Sequence, residues 1–153
     1  MTTYTSVSAQ TLAQIRQQHR DGTEPTAVEV IAEGGEPVRC CLDVAQPGAA
    51  LLLVSIALEL PPASPYAVPS PVYVHRDPGC LAGPRQEYPA AWVPRRQILR
   101  AYDGRGWIVA AREHPAGDPS AVIDAMLADP EVKEVLTSNV LHGCFMLRAR
   151  RSG

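Results

Sequence analysis

The sequence predicts an α+β fold: a mainly antiparallel sheet of about six or seven strands with two helices. Three observations predict this class. Short stretches of alternating apolar and polar residues recur along the chain. The residues Asp103-Gly104-Arg105-Gly106 form a strong hairpin signal between two of these stretches. Two further segments have the apolar spacing of a helix. With 153 residues, 46% hydrophobic and 20% charged, the chain is expected to form one domain over residues 1–153.

The first predicted element is an amphipathic helix at residues 8–21. Ser8 suits the N-cap, Leu12 and Ile15 form an apolar stripe, and Gly22 suits the end. The next elements are strands, because apolar and polar residues alternate or because the run is apolar throughout. These strands are residues 26–31, residues 38–44 and the almost entirely apolar residues 50–58, which we expect at the centre of the sheet.

Prolines dominate residues 61–94 and predict a long loop, because proline interrupts helices and central strands. Residues 71–76 inside this loop predict one short strand, with Tyr73 and His75 on the same face. Long irregular loops often line binding sites. The loop therefore either lines a site or wraps the surface without a ligand, and the sequence leaves both readings open.

The C-terminal third has clear local signals. Asp118-Pro119 predicts the start of the second helix, whose apolar stripe includes Val122 and Met126, and Asp129-Pro130 predicts its end. Strands are predicted on both sides of the hairpin turn and after the helix, at residues 97–102, 107–112, 132–136 and 144–149.

Charge and hydropathy exclude several classes of partner. The formal net charge is -2 and the basic residues are scattered, so we expect no nucleic acid. The longest apolar run, residues 49–60, is too short to span a bilayer, so we expect no membrane association. The N-terminus lacks the basic start and apolar body of a signal peptide, so we expect a cytoplasmic protein.

The four cysteines predict neither disulfides nor a metal. A cytoplasmic chain keeps its thiols reduced. Cys40 and Cys41 would point to opposite faces of a strand, and no Cys-x-x-Cys spacing occurs with Cys80 or Cys144. No phosphate-binding glycine loop is present either. We therefore expect no metal and no cofactor.

Two cysteines have alternative interpretations as reactive groups. Cys144 starts an apolar strand, which favours a buried position, although His142 and Gly143 before it also fit a nucleophile. Cys41 shares a predicted strand face with Arg39, which favours an exposed thiol whose pKa is lowered. A solvated face without a function is the other interpretation of this strand.

The order of several short motifs resembles the family called domain of unknown function 1203, over about residues 37–148. The motifs are Arg39 with Cys41-Leu42, Gln46-Pro47-Gly48, Ser64-Pro65-Tyr66, residues 71–74, Arg100-Ala101-Tyr102-Asp103, Ala128-Asp129-Pro130, and Asn139 with Gly143-Cys144. The resemblance implies an α+β domain and carries no established activity. The chain departs from the family pattern at Val38, where a cysteine is expected, and at Leu136, Thr137 and Ser138, where histidines are expected.

Six polar residues on the strands and the long loop are the candidate site. We expect His75 and Tyr66 as catalytic groups, with substrate binding by Arg39, Tyr73, Arg100 and Asn139. Arg100 has a second interpretation, in which its guanidinium holds an acidic side chain.

Two functions from different classes fit these residues. One is a small cofactor-independent acid/base enzyme, of the isomerase, cyclase or dehydratase type, that acts on a small organic molecule. The other is a non-catalytic module that binds a small molecule or a protein through the loop and an unpaired strand edge. A homodimer is left open.

Overall fold

The computed structural model describes residues 1–24 and 26–153. Within these two ranges, two α-helices, α1 (Ala9–Asp21) and α2 (Ser120–Leu127), accompany the strands, and a 3-10 turn covers Ala90–Trp92. The predicted α+β class is confirmed. Across these residues no helix combines the length and the apolar character that crossing a membrane requires.

Among the residues described, ten strands form two sheets of five, so the predicted single sheet of six or seven strands is wrong in number and arrangement. In chain order the strands are β1 (Thr2–Thr5), β2 (Val28–Ile31), β3 (Pro37–Val38), β4 (Asp43–Val44), β5 (Ala50–Ile56), β6 (Ser70–His75), β7 (Gln97–Tyr102), β8 (Ile108–His114), β9 (Glu134–Asn139) and β10 (Phe145–Arg151). Sheet A has the order β1-β10-β9-β7-β8, and sheet B has the order β2-β5-β6-β3-β4. All pairs are antiparallel except β3 with β6, which is parallel.

Strand β1 was not predicted, because three of its four residues are threonines and no turn signal marks it. It pairs with β10 along its full length, from Thr2 with Arg151 to Thr5 with Arg148. Its one apolar side chain, Tyr4, is buried edge-on against Tyr88, with ring centroids 5.8 Å apart. A long-range partner therefore determines this strand.

Helix α1 forms as predicted. The Ser8 hydroxyl accepts a hydrogen bond from the Thr11 amide at 3.1 Å, and Gly22 ends the helix in the left-handed region with φ 68°. Its buried face contains Leu12, Ile15 and also Arg16. The buried guanidinium of Arg16 was not anticipated.

Helix α2 begins one residue later than predicted, because Pro119 and not Asp118 is the N-cap residue. The Asp118 carboxylate, one residue before the cap, accepts a hydrogen bond from the Ser120 amide at 2.8 Å. Ile123 and Leu127 are buried and face the core, whereas Val122 and Met126 are half-buried. The predicted apolar stripe is therefore correct in position but narrower than expected.

The predicted strand at residues 38–44 is interrupted by a turn over residues 39–42, which separates β3 from β4. Leu42 lies in the left-handed region with φ 57° and is buried. Burial of Leu42 in the core beneath sheet A offsets the strain of that backbone conformation. The alternation of apolar and polar residues over 38–44 therefore does not predict the directions of the side chains in this turn.

The proline-rich residues 61–94 include more regular structure than the expected loop. Strand β6 confirms the short strand predicted there, and it pairs with both β5 and β3. The 3-10 turn at Ala90–Trp92 places Trp92 at 0% exposure, where its indole nitrogen donates to the Asp43 carbonyl at 3.0 Å. This segment is therefore packed into the fold at both positions.

Candidate functional site

A cleft of about 950 Å³ lies between sheet B and the loop that joins β9 to β10. Arg39, at the start of the β3–β4 turn, lines it and is only 2% exposed. Its Nε donates to the Phe145 carbonyl at 2.8 Å and its Nη1 donates to the Pro37 carbonyl. Burial lowers the pKa of Arg39 to about 10, and in the described part of the chain no carboxylate forms an ion pair with it.

Tyr73 and Asn139, both predicted site residues, line the same cleft and are half-buried. Tyr73 reaches it because the parallel pairing of β3 with β6 places Val38 opposite Tyr73, and the Arg39 amide donates to the Tyr73 carbonyl at 2.9 Å. Asn139 is the last residue of β9, and its backbone amide donates to the Cys144 carbonyl at 2.9 Å. The structure therefore brings together three of the six predicted residues.

Further charged side chains surround the cleft. Arg95, Arg96, Glu33 and Glu36 all line it. Arg96 is paired with Glu113, whereas Arg95 donates to the Gly35 carbonyl. The neighbouring positive charge of Arg95 contributes to the lowered pKa of Arg39 after the larger effect of burial. Arg39 and Arg95 therefore bring two positive charges close together in the cleft.

Arg100 and Tyr66 lie outside this cleft. Arg100 lines a smaller cavity of about 190 Å³, where its Nη1 donates to the Ser138 hydroxyl at 2.9 Å. Tyr66 is exposed and stands edge-on to Tyr102, with ring centroids 6.3 Å apart. His142 and Cys144 line both the cleft and the smaller cavity, so the β9–β10 loop forms part of the wall of each.

His75, the predicted proton-transfer group, lies in a cluster with Cys40, Cys41 and Cys80 rather than in the cleft. One ligand atom from each of the four side chains lies within 4.8 Å of the others. The three distances from His75 Nδ1 to sulfur are 3.4 Å for Cys40, 3.7 Å for Cys41 and 3.3 Å for Cys80. The Cys40 and Cys80 sulfurs are 3.0 Å apart.

The β3–β4 turn is what directs both neighbouring cysteines to His75. Successive side chains of a strand point to opposite faces, but successive side chains of a tight turn need not. Cys40 is buried and Cys41 half-buried, so the predicted exposed face for Cys41 is wrong. The His75 amide also donates to the Cys40 sulfur at 3.1 Å, next to the point where β3 and β6 pair.

A second turn, over residues 77–80, brings Cys80 back to His75. The Cys80 amide donates to the Asp77 carbonyl at 3.1 Å, and the Asp77 carboxylate accepts from the Gly79 amide at 2.9 Å. The Ala82 amide then donates to the Cys40 carbonyl at 2.7 Å. The β3–β4 turn is thus hydrogen-bonded to the segment that follows the turn carrying Cys80.

The thiols of this cluster perturb one another. The hydrogen bond from Cys40 to Cys41 and the burial of Cys40 raise the pKa of Cys40. The same hydrogen bond lowers the pKa of Cys41, and the neighbouring Cys80 and His75 add to that effect. Burial raises the pKa of Cys80. Cys41 is therefore the thiol of this cluster whose pKa lies below its ordinary value.

Arg16 on α1 fixes the backbone around the cluster. Its guanidinium donates to the His75 carbonyl at 2.9 Å, to the Cys80 carbonyl at 3.0 Å and to the Pro78 carbonyl at 3.4 Å. The side chain is 4% exposed. One buried arginine thus connects the first helix to the end of β6 and to the turn that carries Cys80.

The comparison of the chain with protein families gives one result. The family described as protein of unknown function, DUF1203, matches residues 35–151. The chain belongs to this family. No curated protein and no solved structure matches the chain significantly. The DUF1203 region includes the cleft arginine and all four members of the cysteine–histidine cluster, whereas Arg16 precedes it.

The cluster was not predicted from the sequence of this DUF1203 chain, because none of its ligand pairs has the spacing of a known metal motif. One signal was present. His75 and Cys80 are separated by a segment containing Asp77-Pro78-Gly79, a turn sequence that returns the chain toward His75. The expectation of no metal rested on ligand spacing and on a predicted strand with Cys40 and Cys41 on opposite faces, and the fold removes both arguments by bringing the residues together.

Proposed function

We propose that this protein binds a small organic anion in the cleft beside Arg39. The observation that supports this is a buried guanidinium that lines a cleft without a carboxylate partner among the described residues. A buried charge is costly unless it is paired, and an anion would pair it.

The remaining donors of Arg39 suit a planar or tetrahedral anion. Nε and Nη1 are used by backbone carbonyls, and a guanidinium has five N–H groups. The other N–H groups are available to a carboxylate or a phosphate. Arginine binds such anions through two parallel hydrogen bonds. Asn139 and Tyr73 add an amide and a phenol that can orient polar groups of the same ligand.

The rest of the cleft fits an apolar ligand body. Its wall includes side chains from both sides of the cleft, namely Val30, Ile31, Leu53, Pro71, Val140 and Leu141. Its volume of about 950 Å³ is within the range of small-molecule sites, which extends to roughly 1,000 Å³. A small organic acid or phosphate ester with an apolar part therefore matches both the positive charge of Arg39 and the apolar side chains that line the cleft.

Acid/base catalysis on the bound anion is the second candidate function. His75 does not line the cleft, but His142 does, together with Cys144. Histidine is the side chain best suited to proton transfer near neutral pH. In this version an isomerase, cyclase or dehydratase reaction would use His142 in place of His75, with Arg39 as the anion anchor.

Binding can be tested with a panel of small organic anions, each compared with its neutral amide or alcohol analogue, by thermal shift and then calorimetry. The wild-type protein is expected to bind at least one anion and not the neutral analogue. Arg39→Met is expected to weaken that binding at least about tenfold, because a hydrogen bond to a charged group contributes about 1.5–3 kcal/mol.

Two further variants make this test specific. Asn139→Ala is expected to lower the affinity for the same anion, while the protein still binds the anion and not its neutral analogue. Arg112→Met removes an exposed arginine outside the cleft and is expected to leave the affinity unchanged. Equal affinities for the anion and its neutral analogue, or unchanged binding by Arg39→Met, would contradict the proposal.

A further inference from the structure

We infer that Cys40, Cys41, His75 and Cys80 form a structural zinc site. The inference does not depend on the anion cleft. It rests on four side chains from three places in the chain whose ligand atoms converge within 4.8 Å.

The spacing of the ligand atoms fits a tetrahedral metal. With Zn–S near 2.3 Å and Zn–N near 2.0 Å, tetrahedral geometry puts sulfur and nitrogen about 3.5 Å apart. The three distances from His75 Nδ1 to sulfur are 3.3, 3.4 and 3.7 Å. The Cys40–Cys80 separation of 3.0 Å is shorter than the roughly 3.8 Å between two zinc-bound sulfurs. Those two sulfurs would move apart on binding.

The ligand types indicate zinc and a structural role. Three sulfurs and one imidazole are a known structural zinc set, and such sites have no open position for a substrate. The nitrogen that faces the sulfurs is Nδ1, so Nδ1 is the ligating atom. A hard cation such as magnesium would instead require oxygen ligands.

The groups around the cluster are those that support zinc thiolates. The His75 amide donates to the Cys40 sulfur at 3.1 Å, which stabilises a negative sulfur. Arg16 brings a positive charge to the site and holds the carbonyls of His75, Pro78 and Cys80. With three thiolates and one zinc ion, the site carries one negative charge, which the Arg16 guanidinium balances.

A zinc ion here would connect the β3–β4 turn, the end of β6 and the turn over residues 77–80. The turn over residues 39–42 also carries Arg39. The ion would thereby fix the backbone next to the cleft without touching a ligand there.

The test is the metal content of the full chain, purified anaerobically without chelator and measured by mass spectrometry of the metals. One zinc ion per chain is expected. Cys41→Ser and His75→Ala are expected to lower zinc affinity at least about a hundredfold, since even supporting groups outside a metal site alter affinity 10- to 100-fold. Cys144→Ser and His114→Ala, which change a cysteine and a histidine outside the cluster, are expected to keep one zinc per chain.

A second measurement does not depend on whether the variants fold. Zinc is removed from the wild-type protein with a chelator, and Co²⁺ is added. The expected result is a one-to-one titration with the visible bands and sulfur-to-cobalt charge transfer of tetrahedral thiolate coordination. A spectrum of oxygen coordination, or no zinc uptake by a protein with four reduced thiols, would overturn the inference. A Cys40–Cys80 disulfide in the anaerobically purified protein would do the same.

Discussion

Replacing Trp92 with alanine is expected to lower the free energy of unfolding by about 3 to 5 kcal/mol. Trp92 is 0% exposed, and its indole nitrogen donates to the Asp43 carbonyl at 3.0 Å. The substitution removes the largest buried side chain and leaves that carbonyl without its partner. Urea unfolding followed by circular dichroism measures the change.

The second tryptophan of the chain is the matched control. Trp107 is 45% exposed, and its ring is covered on one face by the Arg105 guanidinium, 4.7 Å from the ring centroid. Trp107→Ala removes this exposed stacking contact and is expected to cost less than about 1 kcal/mol. Similar losses for both variants would show that residues 90–92 are not part of the core.

Elements whose signals lie within a few residues were predicted well. Ser8 and Gly22 mark both ends of α1, and Asp103 to Gly106 form the turn between β7 and β8. In the turn, the Asp103 carboxylate accepts from the amides of Arg105 and Trp107 at 2.8 and 3.1 Å. Such contacts are local in sequence, so composition and spacing are enough to predict them.

The β3–β4 turn was mispredicted because a long-range contact determines it. Val38, Cys40, Leu42 and Val44 alternate as in a strand, and this pattern predicted that Cys40 and Cys41 point apart. Leu42 instead takes a positive φ and packs with the core beneath sheet A. Tertiary packing outweighs the local preference, and no pattern within the segment records it.

The candidate cleft was predicted in part, since Arg39, Tyr73 and Asn139 converge there while Arg100 and Tyr66 lie elsewhere. Convergence depends on the parallel pairing of β3 with β6, which aligns Val38 with Tyr73. The same pairing directs Cys40 to His75 two residues further along β6. The pairing of β3 with β6, which the sequence does not specify, thus positions Tyr73 in the cleft and Cys40 in the cysteine–histidine cluster.

Replacing Glu134 with glutamine is expected to lower the free energy of unfolding by about 3 kcal/mol, because it breaks a buried ion pair and leaves a charge behind. Glu134 Oε2 lies 3.0 Å from Arg148 Nε, and these side chains are 8% and 6% exposed. The same oxygen accepts from Arg150 Nε at 2.8 Å. Glutamine keeps the shape but not the charge. Urea unfolding at neutral pH measures the loss.

Glu59 supplies the control, because it pairs with the same arginine from the surface. Its carboxylate lies 3.3 Å from Arg148 Nη1, but its side chain is 54% exposed. Exposed ion pairs contribute about 0.2 to 1 kcal/mol, so Glu59→Gln is expected to cost less than about 1 kcal/mol. Both variants remove a carboxylate from the same guanidinium. Glu134 also pairs with Arg150, but the Arg150 side chain is 58% exposed, so that pair contributes at most about 1 kcal/mol and a larger difference between the variants measures the effect of burial. Equal losses would show that water reaches Arg148 and that the pair at Glu134 is not buried in solution.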